Sequence, residues 1–195
     1  FISLLSSPSW SETMDDLVER EGLYYKQFTD VPFTGEVTGD KQGSLKNGKK
    51  EGAWVQYHEN GQLWEKGNYK NGKKEGALVW YWENGQLNSK GNYKNGEFEG
   101  PWVSYYENGQ LSLKSNYRNG KAEGAWIVYH SNGQLRYKGN HKNDDREGPW
   151  VSYYENGQLQ LKSNYRNGKA EGAWIHYHEN GTVDEEKTGT FKNGK

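Results

Sequence analysis

His176-x-His178 is the first place in this sequence where residue types and spacing could do chemistry. A strand alternates its side chains, so two imidazoles two residues apart share a face and could begin a metal site. Such a site needs a third ligand at defined spacing, and cysteine, the other common donor, is absent from all 195 residues. The places of His176 and His178 are filled elsewhere by Trp80 and Trp82 or by Ser104 and Tyr106. His141 stands where Tyr69, Tyr93, Tyr117 and Tyr165 stand. The histidines read as substitutions in a repeating frame, and no metal is expected.

The carboxylates suggest no acid and base pair. Such a pair needs two carboxyl groups in distinct, desolvated surroundings, whereas acids here recur at fixed intervals beside bases or turns. Glycine is abundant, but Asn-Gly and Glu-Gly lack the strand-loop-helix setting of a phosphate-cradling loop. The absence of cysteine excludes disulfides and a thiolate nucleophile. A formal charge of −1, from 25 basic and 26 acidic residues, supplies no field that would draw nucleic acid. Neither an enzyme nor a cofactor is expected.

Aromatic rings remain. Hydrophobic residues make up only 31 % of the chain and mean hydropathy is −1.22, yet 9 Trp and 15 Tyr are present. Disordered chains are poor in such rings, so a thin, ordered β structure fits best. The elements that position the rings follow from a repeat. Asn-Gly falls at Asn60, Asn84, Asn108, Asn132, Asn156 and Asn180, a period of 24, and a second series starts at Asn47, Asn71, Asn95, Asn119 and Asn167. Asn-Gly is the strongest short hairpin signal, because a type I′ turn needs φ > 0 at both central residues. Two turns per unit give two strands per unit and an antiparallel meander.

A two-residue turn at Asn60-Gly61 pairs His58 with Leu63, Tyr57 with Trp64, Val55 with Lys66, Trp54 with Gly67, Gly52 with Tyr69 and Glu51 with Lys70. The same register sets Glu75 against Lys94, Glu99 against Arg118, Glu123 against Lys142 and Glu147 against Arg166. Glu171 reaches a base, Lys192, only if a bulge absorbs a two-residue insertion. One face carries the structural rings Trp54, Trp102, Trp126, Trp150 and Trp174 with Tyr69, Tyr93, Tyr117 and Tyr165, each large ring across from a small residue. Leu63 and its equivalents are placed on that face too. The other face is expected to be charged and wet. Trp80, Trp82, Tyr106, Tyr137 and Tyr154 hold variable positions on the aromatic face and are the candidate interaction surface.

Residues 1–11, "FISLLSSPSWS", read as the remnant of a secretory signal, which places the protein in the periplasm or outside the cell, or in the cytoplasm if the segment is not a signal. Residues 12–44 form an N-terminal cap, with a helical turn capped by Thr13 and Asp16. Tandem hairpins span 45–181, and 182–195 form a C-terminal capping half-repeat.

The stretch "EGAWVQYHENGQLWEKGNYKNGKKEG" resembles the bacterial variant of MORN repeats, and the resemblance extends over about residues 43 to 195. It implies an all-β fold: a single-layer, twisted antiparallel β-meander of hairpins with a curved groove. It also implies membrane association, scaffolding or dimerisation, and a branch often labelled antitoxin-like. The expectation is a non-enzymatic scaffold that binds another protein or its own copy in the bacterial envelope or outside the cell. The other ligand classes are a cell-wall glycan and a membrane lipid surface, the latter suggested by the column Lys66, Lys90, Lys114, Lys138 and Lys162.

Overall fold

The computed structural model describes residues 11–195. They form two compact units that divide between Gly85 and Gln86. The described residues are nearly all strand or turn, and the one helical element is a single 3-10 turn over Met14–Asp16. There the Asp16 carboxylate accepts from the Thr13 amide at 2.9 Å and from its hydroxyl at 2.6 Å. The signal-like segment lies outside the described residues except for Ser11, which opens the first strand.

The first unit runs β1 (Ser11–Thr13), β2 (Leu17–Arg20), β3 (Leu23–Lys26), β4 (Gly35–Thr38), β5 (Lys41–Lys46), β6 (Lys49–Tyr57), β7 (Leu63–Lys70) and β8 (Lys73–Tyr81). Strands β4 to β8 pair antiparallel in sequence order. The departure from a pure meander is β1, which lies parallel to β4. Hairpin β2–β3 forms its own two-stranded sheet. It brings Leu17, with Met14 and Tyr24, against a core of Phe33, Val37, Leu45, Trp54 and Tyr69. That cap leaves Trp54 1 % exposed. A single layer cannot bury a ring so fully by itself.

The second unit runs β9 (Leu87–Lys94), β10 (Glu97–Tyr105), β11 (Leu111–Arg118), β12 (Lys121–Ala122), β13 (Gly124–Tyr129), β14 (Leu135–Lys142), β15 (Asp145–Tyr153), β16 (Leu159–Arg166), β17 (Lys169–Ala170), β18 (Gly172–His176) and β19 (Gly189–Phe191). It is antiparallel throughout. At its end Gly172 pairs with Phe191 and Trp174 with Gly189. The insertion before β19 is thus absorbed as the sequence requires.

The two Asn-Gly series make different turns. Asn71 and Gly72 both have positive φ, 51° and 81°, as a type I′ turn demands. At Asn60-Gly61 only the glycine does. His58 donates its amide to the Gln62 carbonyl, closing a three-residue loop that ends in a left-handed glycine. Asparagine is needed there for its side chain: Oδ1 accepts from the Gln62 amide and Nδ2 donates to the Glu83 carbonyl one repeat later. The longer loop shifts the register, so Tyr57 pairs with Leu63 and Trp64 is skipped. Leu63 therefore shares a face with Tyr57 and Val55, not with Trp54 as the two-residue turn implied.

Pairing of Trp54 with Gly67 and of Gly52 with Tyr69 matches the sequence register. The glycine that makes room for a ring, however, is on the strand before it. A side chain on Gly43 would come within 2.5 Å of the Trp54 indole, one on Gly91 within 2.2 Å of Trp102, and one on Gly139 within 2.1 Å of Trp150. Gly67 plays that part for Leu78. Gly124, paired with His141, has nothing within 4 Å; its φ of +80° makes it a conformational requirement instead.

The expected Glu to Lys or Arg pairs are replaced by something more local. Glu51 accepts from the Asn71 amide at 2.8 Å, Glu99 from Asn119 at 2.9 Å, Glu123 from Asn143 at 3.1 Å, Glu147 from Asn167 at 2.8 Å and Glu171 from Asn193 at 2.9 Å. Among the described residues no ion pair joins Glu51 to Lys70, Glu99 to Arg118, Glu123 to Lys142 or Glu147 to Arg166. The residue before each acid adds its carbonyl: Lys50 accepts from Gly72, and Arg146 from Gly168. In five of the six repeats the Glu-Gly strand thus satisfies the amides of the following turn, which is a reason for Glu to precede Gly there.

Candidate interaction surface

In the second unit the rings of one face touch in an unbroken file. Tyr93 meets Phe98 at 4.6 Å between centroids, Phe98 meets Tyr117 at 4.9 Å, and Tyr117 meets Trp126 at 6.0 Å. His141 bridges Trp126 and Trp150 at 5.0 and 5.1 Å, and Tyr165 with Trp174 carries the file to Phe191. From Tyr117 to Trp174 the neighbours meet edge to face at 61° to 90°, the arrangement that ring quadrupoles favour. Trp150 is buried; Trp102, Trp126, Trp174, Tyr117 and Tyr165 are half-buried. Burial holds the Tyr117 hydroxyl above its usual pKa.

The five variable rings divide by unit and by role. In the first unit the Trp80 indole donates to the Glu65 carboxylate at 2.6 Å, and Trp82 is half-buried. In the second unit the Tyr106 hydroxyl donates to the Tyr129 carbonyl and that of Tyr154 to the Tyr177 carbonyl, both at 2.7 Å. His58 and His130 hold the same position and reach the Tyr81 and Tyr153 carbonyls at 3.0 Å. Within each unit this column ties one repeat to the next, so its identity favours residues with a donor at the right reach. Tyr137 differs: it packs on Trp150 at 6.1 Å, beside the file.

Two further features belong to this face. Glu65 is 4 % exposed and its carboxylate receives Gln56 Nε2, the Tyr69 hydroxyl, Lys74 Nζ and Trp80 Nε1 at 2.6 to 3.2 Å. It stands where other units have Ser89, Leu113, Tyr137 and Leu161, and that singularity was the available signal. The second is the position before each Glu-Gly, occupied by Lys50, Lys74, Phe98, Ala122, Arg146 and Ala170. Lys50 Nζ lies 4.4 Å from the Trp54 ring and 5.0 Å from Tyr69, and burial lowers its pKa. Arg146 lies over Trp150 at 4.7 Å and Tyr165 at 5.2 Å.

Among the described residues no group of three or more His, Cys, Asp or Glu could hold a metal ion, and no helix is long and apolar enough to cross a membrane. The segments 50–71, 74–95, 98–119, 122–143, 146–167 and 170–193 each match the family model described as the MORN repeat variant. The chain belongs to that family. MORN repeats form a non-catalytic family of protein- and membrane-binding modules, and the starts of these six keep the 24-residue period. No curated protein matches the chain. It is similar to the crystal structure of a GtfA/B complex bound to UDP and GlcNAc, at 15 % identity over 86 % of this chain and 26 % of that one, with a TM-score of 0.18. This chain thus spans about a quarter of that one, and so low a score carries no argument about ligand or fold.

Proposed function

We propose that the chain is a non-enzymatic scaffold whose aromatic file in the second unit docks a partner protein in the cell envelope or outside the cell. The observation that supports it is the file itself: rings fixed by one another and by glycines, yet half-exposed along one face. Rigid aromatic anchors lose little entropy on binding and dominate interface energetics. Because neighbouring rings meet edge to face, the surface is corrugated. It suits the side chains of a partner better than the flat faces of sugar rings. Placement in the envelope rests on the signal-like start of the sequence alone.

The test is capture of envelope proteins by the wild-type chain and by variants of matched folding. Leu113→Glu and Tyr137→Glu, beside the file, should abolish retention of a stoichiometric partner, whereas Lys138→Glu on the opposite face should not. Equal retention by all three would overturn the proposal. A second reading comes from that opposite face, where exposed Lys66 lies 5.6 Å from the Tyr81 ring and Lys162 lies 5.8 Å from Tyr177. Lysines over half-buried tyrosines suit an anionic lipid surface; flotation with anionic vesicles at low and moderate salt decides it.

A further inference from the structure

The first unit shows how this repeat face receives a carboxylate. Glu65 sits among Gln56, Tyr69, Lys74 and Trp80. Three repeats on, or 72 residues later, Glu65 becomes Tyr137, Lys74 becomes Arg146 and Trp80 becomes Ser152. The cation is kept, the acid is gone, and the large indole has become a hydroxymethyl group. At that place in the second unit the structure has a pocket of about 130 Å³, lined by Tyr137, Arg146, Trp150, Ser152, Leu161 and Tyr165 among others.

The groups around it are donors without an acid. Arg146 is exposed; its guanidinium is held over Trp150 and Tyr165, with Nη1 donating to the Tyr165 hydroxyl at 2.8 Å. Among the described residues no carboxylate lies within 4 Å of it. A guanidinium has five N–H donors in a planar fork that matches a carboxylate, and most of this fork is unspoken for. The Trp150 Nε1 is buried with no acceptor. Its counterparts Trp54, Trp102 and Trp174 donate to the Ser44 carbonyl, the Ser104 hydroxyl and the Asn164 carbonyl. In the column that Arg146 occupies, the second unit otherwise has Phe98, Ala122 and Ala170, so the file carries its cation at one point.

We propose that this pocket receives the carboxylate of an Asp or Glu side chain from the partner, gripped by Arg146 between Trp150 and Tyr165. The proposal rests on the scaffold reading for the source of that side chain, and adds the chemistry of its anchor. Binding of N-acetyl-glutamate amide to the full chain, followed by NMR at the Trp150 indole and Arg146 side-chain resonances, tests it. The expected result is a saturable shift, at least tenfold weaker with N-acetyl-glutamine amide and with the Arg146→Gln chain, weakened less by Arg146→Lys, which keeps the charge and loses the fork, and kept by the distant Arg118→Gln. Equal shifts for the two amides, no saturation with the acid, or unchanged binding by Arg146→Gln would overturn it. Should the acid bind while the wild-type chain captures no protein, the scaffold reading fails and the pocket stands. Should a partner be captured equally by Arg146→Gln, the anchor fails and the scaffold stands.

Discussion

The Trp80 indole donates to the Glu65 carboxylate at 2.6 Å, and Lys74 reaches the same oxygen at 3.2 Å. A buried charge is tolerable when paired and fully hydrogen-bonded, and costly when its partner is removed. Glu65→Ala removes the carboxylate that an ammonium, an indole, an amide and a phenol share. The expected loss is about 3 kcal/mol in chemical denaturation of the first unit, with Glu65→Gln losing less because it keeps one acceptor.

Gly139 and Gly124 separate two uses of glycine. Gly139→Ala places a methyl group about 2 Å from the Trp150 indole and should cost about 2 kcal/mol through overpacking, with a changed Trp emission spectrum. Gly124→Ala has room but must hold φ near +80°, so it should cost about 1 kcal/mol and leave the spectrum alone.

The turn-capping acids give a prediction that ion pairs would not. Glu147→Ala removes the acceptor of the Asn167 amide; it should cost about 1 kcal/mol and speed hydrogen exchange at Asn167 several-fold. Arg166→Gln should change stability by less than about 0.5 kcal/mol. Equal effects from the two substitutions would restore the ion-pair explanation.

Acid should loosen the loop before β19. Hydrogen bonding from Lys187 holds Asp184 below its ordinary value of 3.8, against burial and with help from the Lys187 and His178 charges. A lowered folded pKa stabilises above 3.8 and loses that contribution as pH falls through the folded value. The same bond raises the Lys187 pKa above 10.5, so its contribution is full below 10.5 and fades as pH rises through the raised value. Hydrogen exchange at the Lys187 and Thr188 amides should quicken at both extremes, and Asp184→Asn should remove the acid limb.

Most of the fold was legible because an Asn-Gly period of 24 fixes hairpin count and a small-residue alternation fixes faces. Gly52 opposite Tyr69 and the cap at Thr13 both follow from spacing. What spacing could not give is which Asn-Gly adopts which turn. Asn71 and Asn60 precede glycine alike, and they differ in the sign of φ and in the Asn60 side-chain bonds to the Gln62 amide and the Glu83 carbonyl. That one ambiguity displaced Leu63 to the other face. Local charge alternation likewise suggested Glu51 with Lys70, whereas the backbone amide of a tight turn, with no other acceptor, is the stronger claimant. The site was legible only as a face: Tyr106 and Tyr154 hold variable positions, and their hydroxyls tie successive repeats together.

The central claim is that a partner protein docks on the aromatic file. A photo-crosslinking residue in place of Tyr137, beside Trp150, compared in intact cells with the same residue in place of Lys138 on the opposite face, tests it most directly. One discrete protein adduct is expected from position 137, reduced in the Arg146→Gln background, and none from position 138. Adducts of equal yield from both positions, or none from position 137, would contradict it.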